Sequence, residues 1–192
     1  MTQAAAHAPT PTTNAAPTAS LEFPAGTQVR HDGPMRPGGL SVPFKGKARR
    51  FACEQWIDKP RDEIFPFFAD AHNLEAITPP LLKFNVLTPR PIDMKAGAII
   101  DYKLKIRGFT AKWKTEITVW EPSVRFVDVQ RKGPYSLWHH EHTFEDHDDR
   151  TRCVDVVYYA HAGGPIINKL LVAPDIEKIF AFRRQKLAEI FG

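Results

Sequence analysis

Gly133-Pro134-Tyr135-Ser136-Leu137-Trp138-His139-His140-Glu141-His142-Thr143-Phe144 reads as a turn that opens into a strand. Successive side chains of a strand point to opposite faces. Trp138, His140, His142 and Phe144 therefore share one face, and His139, Glu141, Thr143 and Glu145 share the other. The neighbouring runs repeat the mixture: Phe126, Asp128 and Gln130 lie in phase, as do Asp155, Val157 and Tyr159. An ordinary half-buried strand alternates apolar with polar. Here the aromatic face also carries two His, two Asp, a Gln and a Tyr. Buried polar groups must be hydrogen-bonded or solvated, so this face is expected to point inward and to line a cavity rather than a dry core. Arg125, Arg131, Glu141 and Glu145 hold the opposite face.

Working outward, strand-like runs cover Lys83–Thr88, Ala98–Arg107, Thr110–Trp120, Val124–Arg131, Leu137–Glu145 and Thr151–Ala160. They are separated by Lys95-Ala96-Gly97, Arg107-Gly108, Glu121-Pro122-Ser123, Gly133-Pro134 and Asp146-His147-Asp148-Asp149. Connections this short predict an antiparallel meander. Before it, Arg50–Ile57 reads as a first strand. Asp58 then stands where a helix cap is expected, with Asp62 and Glu63 in the first turn. Pro66 should kink or shorten that helix, and a second short helix over Ala71–Ile77 must stop at Thr78-Pro79-Pro80. After Gly163-Gly164-Pro165 the helical period returns through Ile176, Ile179, Phe180, Arg183, Leu187, Ile190 and Phe191. Pro174 is expected to divide Ile166–Val172 from the main helix. An amphipathic helix needs an apolar surface, which a curved sheet offers. The fold class expected is α+β, an antiparallel sheet of about seven strands gripping a long C-terminal helix, with two short helices after the first strand.

The chain has 192 residues, 43% hydrophobic, with 13 Phe and 4 Trp to fill a core. The net charge of +4 comes from 26 basic and 22 acidic residues scattered along the chain. No basic run alternates with exposed aromatics, which argues against nucleic-acid binding. Cys53 and Cys153 lie far apart and form no metal-binding framework. No apolar run reaches the roughly 18 residues of a membrane-spanning helix, and Met1–His7 lacks the features of a secretory signal. A soluble, cytoplasmic protein is expected. Residues 1–42 are rich in Ala, Pro and Thr and are expected to be a disordered tail, with Leu21, Phe23 and Leu40 as weak docking points, ahead of a ligand-binding domain over 43–192.

Several local signatures span residues 48–192: Asn73-Leu74 with Ile77-Thr78-Pro79-Pro80, Gly97 with Asp101-Tyr102, Trp113, Phe126-Val127-Asp128-Val129-Gln130, Gly133-Pro134-Tyr135, Trp138 to Phe144, and Ile179 to Arg183. In these the chain resembles the START-like helix-grip superfamily (SRPBCC), in its polyketide cyclase/dehydrase-like and coenzyme Q-binding-like branch. The resemblance implies a hydrophobic cavity between sheet and long helix, and no metal or other cofactor. That scaffold hosts lipid carriers, hormone receptors, quinone chaperones and aromatase/cyclases, so it does not fix the function.

Two functions stay open on these residues. One is binding or carriage of a small lipophile (isoprenoid, quinone, fatty acyl or aromatic), contacted by Tyr102, Trp113, Phe126, Asp128, Gln130, Tyr135, Trp138, His140, His142, Phe144, Asp155 and Tyr159. The other is a cyclase or dehydratase in which His140 or His142 is the base and Asp128 fixes its tautomer. A bland alternative makes the same cluster a strand-positioning hydrogen-bond network. His-x-His beside carboxylates is also metal-ligand spacing, though no further ligand pattern supports it. Tyr102, Leu104, Ile106, Trp113, Thr115, Ile117 and Val119 read as inward, and Tyr135 as a cover over the cavity mouth. Arg183 and Arg184 on the long helix read as solvated, though Arg183 shares the inward stripe, from which it could pair with a buried carboxylate. Lys103, Lys105, Arg107, Lys112 and Lys114 read as a solvated outer face that also suits transient contact with an anionic membrane surface. Nothing in the pattern indicates an oligomeric state.

Overall fold

The computed structural model describes residues 29–192. Eight strands form one antiparallel sheet: β1 (Val29–Met35), β2 (Ala48–Ile57), β3 (Asn85–Val86), β4 (Ile99–Ile106), β5 (Phe109–Glu121), β6 (Arg125–Lys132), β7 (Leu137–His147) and β8 (Arg150–Ala160). Their order across the sheet is β1-β2-β8-β7-β6-β5-β4-β3. Four hairpins build β4 to β8, and the chain's early strands complete the far edge. The β4–β5 link is a two-residue turn in which Arg107 and Gly108 both have positive φ (49° and 88°). That pairing of signs matches the twist of a tight hairpin, and Gly108 supplies it without a Cβ clash.

The helical elements depart from expectation in three places. Helix α1 (Arg61–Ala69) starts after Pro60 with no side-chain cap, because Asp58 instead accepts from Arg150 at 2.6 Å. It runs for nine residues with Pro66 inside. The next segment is a 3-10 helix, Ala71–Glu75, capped by Asp70 accepting from the His72 backbone N–H at 2.9 Å. The run Lys83–Thr88 contracts to the two-residue edge strand β3, since Lys83 adopts a left-handed conformation to end the 3-10 turn Pro80–Leu82. At the C-terminus, α2 (Gly164–Ile167), a π-helical turn (Asn168–Val172) and α3 (Ala173–Phe191) follow without a gap. Pro174 does not divide them. The junction residues Ile167, Asn168, Val172 and Ala173 all hold right-handed helical angles. The wider turn just before Pro174 gives its ring room and absorbs the missing N–H.

Helix α3 turns Ile176, Phe180, Arg183 and Leu187 towards the sheet. Ile176 and Phe180 pack on Phe51, Cys53, Val157 and Tyr159, while Leu187 joins Ile57, Ile64, Phe65, Phe126 and Phe144. Gln55 Nε2 donates to the carbonyl of Arg184 at 2.9 Å and fixes the helix over β2.

The outer face of the sheet is covered as well, which corrects the expected tail. Val29–Met35 is a strand paired with β2. Met35, Leu40, Val42 and Phe44 then pack on Ala52, Leu137, Val154, Val156 and Tyr158. His139 and Glu141 are consequently buried (2% and 5% exposed) although they face away from the cavity. Residues 1–28, with Leu21 and Phe23, lie outside the described residues.

One assignment of side also changes. A bulge in β5 between Ile117 and Val119 pairs Ile117 with Asp128 and Val119 with Val127. Two consecutive residues therefore face outward, Val119 leaves the inner face, and Trp120 replaces it beside Phe126.

Candidate functional site

The inner face of the sheet, α3 and the short helices enclose a cavity of about 690 Å³. Its walls are mainly apolar: Phe67, Leu74, Ile77, Leu82, Phe84, Met94, Ile100, Leu104, Ile179 and Phe180 all contribute. Three aromatic side chains form one wall. Tyr135 sits 4.9 Å from Trp138 and 5.7 Å from Trp113, centroid to centroid. The Trp113 indole N–H donates to Thr115 Oγ1 at 3.0 Å, so this wall presents carbon rather than an unsatisfied donor. The lining residues that reach solvent mark its opening: Leu81, Lys83, Arg107, Gly108 and Lys178 are exposed, and Lys105 and Asp175 are half-buried. Lys105 and Arg107, expected on the outer face, come round to this opening at the twisted end of the β4–β5 hairpin.

The polar groups gather at one place on the sheet. Register sets Asp128 opposite His140 across β6–β7, and His142 opposite Asp155 across β7–β8. The four side chains close into a ring. His140 Nε2 hydrogen-bonds Asp155 Oδ1 at 2.8 Å, and His142 Nε2 hydrogen-bonds Asp128 Oδ2 at 3.1 Å. Each Nδ1 lies against the other carboxylate, His140 at 3.3 Å from Asp128 and His142 at 2.9 Å from Asp155. The imidazoles are 3.7 Å apart, and His142 stacks on Phe126 at 4.1 Å. Both rings are almost fully buried.

Burial alone would push the His140 pKa down, but Asp128 and Asp155 outweigh it and the net shift is upward. Burial would likewise raise both carboxyls, yet the two imidazoles hold Asp128 and Asp155 far below the usual carboxylate range. Mutual pairing of imidazoles and carboxylates offsets the cost of burying these ionisable groups. Tyr102, on the cavity wall, has its phenol pushed upward by burial and then by the Asp128 charge. Asp128, His140 and His142 each offer a donor atom within 4.8 Å of one another. The Nε2 atoms are already engaged by carboxylates, so a cation would have to displace those hydrogen bonds.

Eight of the twelve expected contact residues reach the cavity: Tyr102, Trp113, Phe126, Asp128, Tyr135, Trp138, His140 and His142. The other four lie behind it. Gln130 braces the β6–β7 turn, its Nε2 donating to the Tyr135 carbonyl at 2.5 Å. Phe144 belongs to the apolar cluster of Phe65 and Phe126, and Tyr159 to that of Phe51 and Phe180. Asp155 stands between the two histidines and Arg183. The walls supplied by Leu74, Leu82, Phe84 and Met94 were not read from sequence as ligand contacts. They sit in irregular segments without periodicity, and only the tertiary fold brings them together.

The family described as "Polyketide cyclase / dehydrase and lipid transport" matches residues 57–178. No curated protein sequence matches the chain. Among solved structures, protein Ms6760 from Mycobacterium smegmatis is 17% identical, with 84% of this chain and 97% of that one covered at a TM-score of 0.56. The Zhui aromatase/cyclase from Streptomyces sp. R1128 is 14% identical, covering 74% and 92% at a TM-score of 0.59. Major latex-like protein 151 from Panax ginseng is 11% identical, covering 74% and 96% at a TM-score of 0.57. At these identities the likeness shows the helix-grip fold. Among the described residues no helix is long and apolar enough to cross a membrane.

Proposed function

Since the chain belongs to the family of polyketide cyclases, dehydrases and lipid-transport proteins, we propose that it binds and carries a small lipophilic molecule between sheet and α3. The observation that carries this reading is a largely apolar cavity of about 690 Å³ whose polar groups converge at one point. That volume suits a drug-sized or lipid-sized guest. Each 100 Å² of ligand apolar surface removed from water contributes about 2.5 kcal/mol, part of which offsets the entropy of association. Asp128, His140 and His142 would orient one oxygenated end. Mild purification followed by solvent extraction and mass spectrometry tests the proposal. A lipophile recovered at a stoichiometric ratio supports it. A purified chain that neither retains nor takes up any member of a panel of isoprenoids, quinones, fatty acyl compounds and aromatics would refute it.

A second reading is favoured by one feature: the same Asp128, His140 and His142 meet the cavity rather than sitting wholly behind it. In a cyclase or dehydratase, one imidazole would remove the proton from a carbon beside a ketone, and its carboxylate partner would hold the tautomer. The two readings part on His140→Ala and His142→Ala. A base loses about 10² to 10⁴ in turnover with little change in affinity. A carrier loses affinity alone.

A further inference from the structure

Arg183 is a buried cation that the protein leaves short of partners. It is 8% exposed, and its Nε and Nη1 have no hydrogen-bond acceptor. The nearest carboxylate oxygen is Asp155 Oδ1, 3.7 Å from Nη1 and beyond hydrogen-bonding distance. That same oxygen is already claimed by His140 at 2.8 Å and His142 at 2.9 Å. The guanidinium lies over the Phe180 ring, 4.9 Å from its centroid, so its flat face rests on carbon and not on an anion. A buried guanidinium lacking its hydrogen bonds is costly, whereas the surrounding aliphatic and aromatic residues would pack at no such cost. The side chain also lines the cavity, one helical turn from Ile179 and Phe180, which line it too.

We infer that the missing partner comes with the ligand, and that the ligand is a carboxylic acid whose carboxylate docks at Arg183 while its apolar body fills the cavity. Guanidinium and carboxylate are matched in charge and planar geometry, and their hydrogen bonds are stronger than neutral ones. The acid enters tail outward, because Arg183 is buried near Asp155, whereas Leu81, Arg107 and Lys178 of the same cavity lining are exposed to solvent. This inference rests on the lipophile-carrier reading and narrows it to one chemical class.

Dodecanoate and dodecanol share an alkyl chain and differ in the head group, so their titration into the full chain isolates the charge. Three proteins are compared: the unaltered chain, Arg183→Met, which keeps the packing on Phe180, and Arg183→Lys, which keeps the charge. Thermal midpoints confirm that each variant is folded. Arg183→Met is expected to weaken dodecanoate by about 10- to 100-fold, the range of a charged hydrogen bond, and to change dodecanol less than about twofold. Arg183→Lys is expected to fall between. Equal losses for acid and alcohol, or no loss of the acid, would overturn the carboxylate assignment while leaving the carrier reading intact, since dodecanol still binds. Failure of both compounds to bind the unaltered chain would overturn the carboxylate assignment, whereas the carrier reading falls only if the wider panel of isoprenoids, quinones and aromatics also fails to bind.

Discussion

His139 Nε2 accepts a hydrogen bond at 3.1 Å from the backbone N–H of Ser41, joining the middle of the sheet's outer face to a residue 98 positions earlier. Ser41 Oγ is 2.6 Å from Thr118 Oγ1, so the same residue also reaches β5. The segment that begins with β1 is therefore a strap over the outer face, and it explains why an imidazole pointing away from the cavity is 2% exposed.

Shortening the chain tests the strap. A chain starting at Val29 keeps β1 and all contacts described, and is expected to match the full chain in thermal midpoint. One starting at Lys45 loses Met35, Leu40, Val42 and Phe44 from the outer cluster. At about 1.5–3 kcal/mol for each fully buried apolar side chain, and less for partly buried ones, the loss should be on the order of 3–6 kcal/mol. That corresponds to a drop of about 10 °C or more for a domain this size. Equal midpoints for the two shortened chains would show that the strap contributes nothing.

The two neighbouring histidines should give opposite pH signatures. Burial lowers the His139 pKa below its ordinary 6.5. Its neutral form is favoured by folding, so its contribution is complete above about pH 6.5 and is lost as pH falls through the folded value. His140 is shifted the other way, its Asp128 and Asp155 partners outweighing burial. Its contribution is complete below about pH 6.5 and is lost as pH rises through the raised value. Thermal midpoints from about pH 5 to about pH 9 should show His139→Gln flattening the acid limb and His140→Gln the alkaline limb. A single limb responding to both variants would contradict the assignment.

How much of this was legible beforehand depended on where periodicity exists. The period of two placed Trp138, His140 and His142 on one face, and pairing with β6 and β8 put Asp128 and Asp155 beside them. The strap was not legible, because Leu40, Val42 and Phe44 are isolated apolar residues among Pro, Gly and Ser. Such a composition signals disorder unless a partner surface exists, and that surface is the outer face of strands far along the chain. Val119 was misplaced because a bulge carries no local sequence mark. Pro174 misled in the other direction: a helix-breaking residue is tolerated where a π turn precedes it.

Asp155 separates structural charge from ligand contact. It does not line the cavity, yet His140 and His142 both bond its carboxylate, and it is the carboxylate nearest Arg183 at 3.7 Å. Asp155→Ala is expected to cost about 3–5 kcal/mol in a urea titration, the range for leaving a buried partner uncompensated. Asp128→Asn keeps the shape at the cavity wall and should change ligand affinity by about 1–3 kcal/mol. Were Asp155→Ala to retain full stability, the ring would be a loosely held solvated cluster.

The last prediction concerns how a ligand gets in. Arg107 holds Asp175 through two hydrogen bonds, Nε at 3.1 Å and Nη2 at 3.0 Å, and thereby ties the β4–β5 turn to the first turn of α3. Both residues border the cavity opening, and both side chains are well exposed (49% and 37%). An exposed pair contributes only about 0.2–1 kcal/mol, so Asp175→Asn should leave the thermal midpoint within a few degrees. Opening and closing across this tie should nevertheless become faster, because a bidentate pair must break before the turn can move away from α3. Uptake and release of dodecanol are both expected to accelerate several-fold in stopped-flow experiments, with little change in their ratio. High salt should do the same to the unaltered chain, since exposed charges are screened, and should do nothing more to Asp175→Asn. Rates that ignore both the substitution and the salt would show that the ligand passes elsewhere, leaving the Arg107–Asp175 pair as a brace for the hairpin.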